Sequence, residues 1–126
     1  MAGILPQLSD TGRFTNTTNE LLSGILGGGI QLGFEKIELA AGVAVGLGAR
    51  PAGTKYAVIM AESDAATVDP TKIIRYRMDG VDPTITDGMP MGNLTLIEVF
   101  YEANLANLKF IRIEALTQTL QVFYFG

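Results

Sequence analysis

Between residues 35 and 125 the apolar side chains of this chain recur at every second position, in short runs cut by Gly, Pro, Asn and Asp. That period belongs to a β-strand, whose side chains alternate between two faces, and not to a helix with its period of 3.6. Residues 35–39 set Ile37 and Leu39 on one side and Lys36 and Glu38 on the other. Residues 43–47 are interrupted by Gly42, Gly46 and Gly48, which suits an edge or bent strand. Residues 55–62 place Tyr56, Val58 and Met60 on one face, and 72–78 turn Ile74, Tyr76 and Met78 inward with Arg75 and Arg77 outward. A strand over 94–101 has its even-numbered apolar face broken by Glu98. Over 108–113 the parity changes, with Leu108 and Phe110 on one side and Ile111 and Ile113 on the other. That change predicts a bulge or a strand buried on both faces. The last strand, 119–125, is apolar on both faces: Leu120, Val122 and Tyr124 on one, Phe123 and Phe125 on the other. Something must cover that second face.

Turn chemistry separates these runs. Arg50-Pro51-Ala52-Gly53 is spaced for a type II turn. Residues 63–71 form a loop, 79–93 a long turn-rich connection and 104–107 a turn. With no βαβ pattern and no helix expected from 34 to 126, the fold class is all-β. The expected architecture is an antiparallel β-sandwich or jelly-roll-like body. Residues 1–33 read differently, as an extended N-terminal arm with one short helix near 19–26. There Thr17 caps the helix and Glu20 closes a capping box, while Gly27-Gly28-Gly29 ends it. Leu21, Leu22, Ile25 and Leu26 form its apolar stripe, which needs a surface to lie on. The organisation is thus an arm over 1–33 and a β-sandwich domain over 34–126.

Composition excludes several chemistries. The 126 residues contain no His and no Cys. Imidazole bases, Ser-His and Cys-His nucleophiles, thiolate metal sites and disulfides are therefore out. The net charge of −4 argues against a phosphate-binding surface, so no nucleic-acid partner is expected. No apolar run reaches the length of a membrane-spanning helix, and no membrane partner is expected. The start, Met-Ala-Gly-Ile-Leu-Pro-Gln, has no basic segment, so an ordinary signal peptide is not expected. Charged residues make up only 17% of the chain, against about 25% in ordinary domains. Mean hydropathy is +0.29. So few charges favour burial against neighbours, in a homo-oligomer (dimer or trimer) or a larger assembly.

The stretch 75–91 is the most distinctive. Asp79, Asp82 and Asp87 are candidate oxygen ligands for Ca²⁺, although their spacing is not that of an EF-hand loop. The competing reading is that Asp-Gly and Asp-Pro-Thr are turn formers whose carboxylates accept nearby backbone N–H groups. Arg75 and Arg77 are candidates for bidentate pairing with acidic groups of a neighbouring subunit, or for a solvated face. No two of the thirteen acids are picked out as a hydrolytic pair. Ser9, Ser23 and Ser63 have no His to activate them, and no motif joins Ser63 to Lys55 or Lys72. Residues 24–29 are not a phosphate loop, since no Gly-Lys-Ser/Thr closes them. No catalytic residue, resident metal or cofactor is expected.

The order of turns and strand ends carries a resemblance. Ala41-Gly42-Val43-Ala44-Val45-Gly46-Leu47 precedes the Pro-Ala-Gly turn at 51–53. Arg75-Tyr76-Arg77 leads into Asp79-Gly80, followed by Asp82-Pro83-Thr84 and Gly88-Met89-Pro90-Met91. Asn107-Leu108-Lys109-Phe110-Ile111-Arg112 and Leu120-Gln121-Val122-Phe123-Tyr124-Phe125 close the chain. Over residues 40–126 this resembles the small β-sandwich virion structural proteins of tailed bacteriophages, of the head decoration or cement type. The resemblance implies a structural, non-enzymatic subunit on the capsid surface of the virion, made in the cytoplasm of the bacterial host. It also implies the major capsid protein and other virion proteins as partners. Leu21, Leu22, Ile25 and Leu26 would anchor the arm, and Phe123 and Phe125 would form an intersubunit patch. The alternatives are a neck or tail structural protein and a module binding host-surface glycan.

Overall fold

The computed structural model describes residues 29–126. Its strands are β1 (Gln31–Leu39), β2 (Val45–Gly46), β3 (Tyr56–Glu62), β4 (Ile74–Arg77), β5 (Met89–Met91), β6 (Leu96–Phe100), β7 (Lys109–Arg112) and β8 (Gln118–Phe125). One short helix, α1 (Glu102–Asn107), separates β6 from β7. The protein is all-β in class, with two antiparallel four-stranded sheets. The first has the order β1-β8-β3-β6 and the second β2-β7-β4-β5. The helix expected near 19–26, with Leu21, Leu22, Ile25 and Leu26, lies outside the described residues.

The pairings are nested. β1 pairs with β8, β2 with β7, β3 with β6 and β4 with β5. Two further ladders, β3 with β8 and β4 with β7, complete the sheets. Every connection except β4 to β5 therefore passes from one sheet to the other.

One apolar cluster is common to both sheets. Ile37, Leu39, Ala57, Ile59, Ala61, Val99, Leu120, Val122 and Tyr124 come from the first sheet. Ile74, Met91 and Phe110 come from the second, Ile73 and Leu108 from the residues just before its strands β4 and β7, and Leu105 from α1. Each fully buried Leu or Ile here is worth about 1.5–3 kcal/mol of transfer free energy. The alternation in β8 is as the sequence predicts: Leu120, Val122 and Tyr124 point to the core and Phe123 away from it. Ile74, Tyr76 and Met78 also lie against the core, and β2 is an edge strand. The Pro51–Thr54 turn closes with Thr54 N–H donating to the Pro51 carbonyl at 3.2 Å, and Gly53 at φ 85° supplies its left-handed position.

Three expectations are corrected. Residues 104–107 are not a turn, because α1 runs through them and buries Leu105. Six residues are marginal as a helix in isolation. Leu105 packing and the Asn104 Nδ2 bond to the Phe100 carbonyl (2.9 Å) hold this one. The connection 79–93 is not all turns, because β5 forms within it and pairs with β4. In β6 the core side chains are Ile97 and Val99. The even-numbered face that Glu98 interrupts is the outer face, where Glu98 is exposed. The same inversion holds in β3, where Ala57, Ile59 and Ala61 are wholly buried while Val58 and Met60 face away.

Candidate functional site

The outward face of the first sheet is the most unusual surface among the described residues. Register sets its side chains in rows across the four strands. Phe34 lies opposite Phe123, Phe123 opposite Val58, and Val58 opposite Glu98. The next row is Lys36, Gln121, Met60 and Leu96. On the other side of the Phe123 row, Phe125, Tyr56 and Phe100 lie opposite one another. Beyond Lys36 the face turns polar, with Glu38, Thr119 and Glu62 in register.

Two of these rows are largely apolar and a third is half so, yet no second layer covers them among the described residues. Phe34 is 54% exposed, Leu96 50% and Phe123 40%. The rings of Phe34 and Phe123 lie 5.4 Å apart and stand together as a ridge on the β1–β8 half. Val58, Met60, Leu96, Gln121 and Phe123 enclose a shallow apolar depression that runs from β8 across β3 to β6. Tyr56 is the exception, since Phe125 stacks on it at 5.1 Å and Phe100 leans on it at 5.2 Å. Exposed aromatic area of this kind marks binding surfaces, because large rings bury much area for little lost rotamer freedom.

Charges on this face are few and unevenly placed. Lys36 reaches Glu38 at 4.0 Å, the outer limit of an ion pair. Glu62 accepts a hydrogen bond from Gln121 Nε2 at 2.9 Å. Glu98, on the opposite edge from Lys36, has no basic partner among the described residues.

The expected sites around 75–91 are arranged for holding the chain together. Arg75 donates to the carbonyls of Ile85 (3.1 Å) and Gly88 (2.8 Å). Arg77 donates from Nε to Asp79 Oδ1 at 3.1 Å. Asp79 also accepts the Val81 N–H, and the Arg77 hydrogen bond holds its carboxyl well down, at about 2. Asp82 pairs with Lys109 at 3.2 Å, and Asp87 accepts from the Thr84 hydroxyl at 3.3 Å. The three aspartates are not brought into a cage. No cluster of three or more acidic side chains is placed to hold a metal ion among the described residues. Of the aromatic pair expected at an interface, Phe123 is open and Phe125 is half-covered on Tyr56. Leu21, Leu22, Ile25 and Leu26 lie outside the described residues.

A second polar cluster sits on the core side of β1. Glu35 accepts the Gly48 N–H with both oxygens at 3.1 Å and the Tyr124 hydroxyl at 2.6 Å. Burial first, then the bond to Glu35 and its charge, push the Tyr124 hydroxyl above its usual range. A Cβ at residue 48 would come within 2.4 Å of Glu35 Oε2, so glycine there lets the chain close onto the carboxylate. This cluster pins the segment after β2 to the first sheet.

Residues 34, 36, 58, 60, 96 and 98 belong to the site and were not singled out by their residue types. Their signal was present in the two-sided apolar character of 119–125, which requires apolar neighbours of the same outward parity on the adjoining strands. Comparison with family models, with curated proteins and with solved structures finds no match. Among the described residues no helix is long and apolar enough to cross a membrane.

Proposed function

We propose that this chain is a non-enzymatic structural protein of a bacteriophage virion, a capsid decoration or cement subunit that binds the head shell and stabilises it. The observation that carries this reading is the strand order β1-β8-β3-β6 and β2-β7-β4-β5. Nested pairs 1–8, 2–7, 3–6 and 4–5 arise when one long antiparallel hairpin is wrapped on itself, which is the topology of a jelly-roll sandwich. That architecture serves viral capsid proteins, lectins and metal-binding cupin enzymes. The last of these depends on imidazole ligands, and the chain has no His. A calcium-dependent lectin needs free carboxylates, and Asp79, Asp82 and Asp87 are each engaged within the chain. The low charge content and the open apolar face favour a subunit that completes itself against neighbours.

In this reading the major capsid protein is the partner, the β body forms a homo-oligomer, and the N-terminal arm over residues 1–33 clamps the shell. Cement action is buried apolar area bridging adjacent shell subunits, at about 25 cal/mol per Å² before the costs of association. Quantitative mass spectrometry of purified virions, scaled to the major capsid protein, tests it. A copy number comparable to that protein is expected. A handful of copies per particle would move the protein to the neck or tail and favour a host-surface binding module. None at all would overturn the virion reading.

A further inference from the structure

We infer that the outward face of the first sheet binds the same face of a second copy, about a two-fold axis parallel to the strands and above the β8–β3 boundary. The inference rests on the oligomer part of the reading above, and names its surface and geometry. A two-fold interface must be self-complementary, so that whatever one half presents the other half receives. This face is divided in that way. Its β1–β8 half carries the Phe34–Phe123 ridge, and beside that ridge a depression walled by Phe123 and Gln121 opens over Val58, Met60 and Leu96 of the β3–β6 half.

The axis described sets β8 of one copy over β3 of the other, and β1 over β6. Phe123 then enters the second copy's depression between Val58 and Met60. Phe34 lies in the row of the second copy's Glu98, and Lys36 in the row of its Leu96. Lys36 comes within reach of the second copy's Glu98, one row away. The axis repeats each contact, so both Glu98 carboxylates gain a cationic partner that the described residues of their own chain do not provide. A two-fold axis across the strands would do the opposite. It would lay β6 on β6 and β1 on β1, gathering the two Glu98 carboxylates at one edge and the two Lys36 ammonium groups at the other. Charge therefore selects between the two ways of facing the sheets, as it commonly sets register and orientation at interfaces.

Sedimentation equilibrium on the full chain tests this, with circular dichroism to check that each variant is folded. A dimer is expected. Phe34→Asp and Phe123→Asp should each weaken it about 100-fold, because a charge is set into the desolvated centre. Lys36→Glu or Glu98→Lys should each weaken it about 10-fold, and the two together should return it to within about threefold of the parent. The charge variants alter exposed positions, so their result stands even if the Phe variants fail to fold. A monomer at all concentrations, a trimer, or a dimer indifferent to Phe34 and Phe123 overturns the inference. So does failure of the double charge reversal to restore binding. A chain abundant on virions yet monomeric in solution sinks this inference and leaves the virion reading standing. A dimer found in solution but missing from particles does the reverse.

Discussion

The first sheet pairs strands of nine, eight, seven and five residues, whereas those of the second have two, four, four and three. Long ladders make the first sheet redundant, so that losing one rung leaves many. The second sheet has few rungs and depends on other bonds. The Ile73 N–H donates to the Met91 carbonyl and the Ile113 N–H to the Ile73 carbonyl, each at 2.8 Å. Arg75 ties β4 to the loop over 79–88, and Lys109 ties β7 to Asp82 in the same loop. A short sheet of this kind stands on its core and its side-chain braces, and a long one on its backbone.

The largest expected effect asks whether the second sheet depends on core burial. Phe110, wholly buried in β7 and leaning on Tyr76 at 6.0 Å, should cost about 3–5 kcal/mol when changed to Ala, measured by chemical denaturation. A cost below about 1 kcal/mol would mean that the few ladder bonds hold the sheet, and the contrast would fail.

Next comes Gln118 at the start of β8, the one wholly buried residue of the polar and charged types among the described residues. It accepts the Asp64 N–H and donates to the Thr67 hydroxyl, both at 3.0 Å, and so pins the loop after β3. Gln118→Leu keeps the volume and strands those groups. A loss of about 1–3 kcal/mol is expected in the thermal transition. An unchanged transition would show that water replaces both bonds.

Arg75→Met sharpens the comparison further. Removing two bonds to carbonyls should cost about 1 kcal/mol. It should speed amide exchange over 79–88 while leaving β8 protected. Equal loss of protection in β8 would show that the two sheets open together.

The smallest effect is electrostatic. Asp79 titrates at about 2 in the folded chain, held down first by the Arg77 hydrogen bond, against about 3.9 when unfolded. The folded value is the lower one, so its stabilisation is present above about pH 4 and fades as pH falls towards 2. The side-chain carboxyl resonance of Asp79 should show that low midpoint. An ordinary midpoint would mean that the Arg77 brace does not form in solution.

How far the fold could be read from residues alone follows the same division. β8 was legible because Leu120, Val122 and Tyr124 alternate along it with Phe123 and Phe125 on the other parity, and β4 because Arg75 and Arg77 mark its outer parity. β5 was not, since Gly88, Pro90 and Gly92 are turn formers and three residues carry no period. Tyr101, which precedes α1, has φ 77° and makes no side-chain cap, so no start signal announces the helix. The candidate face was obscured in β3 because its core side is partly alanine. Ala57 and Ala61 fill little space, while the bulkier Val58 and Met60 look outward. Hydrophobicity there marked the face that neighbours would cover, and small size marked the face already covered.

The position of β8 has a consequence for how the chain reaches this state. β8 lies between β1 and β3, and it follows both of them in the chain. β1 pairs with no other strand of its sheet, so during synthesis it waits for nearly the whole body before it has a partner. Pairings between such distant segments put folding in the slow class of milliseconds to seconds. Throughout that interval Phe34 and the apolar side of β1 are open to wrong partners, including other nascent copies. Yield in the cell should therefore be governed less by the strength of the finished core than by how long β1 stays unaccompanied.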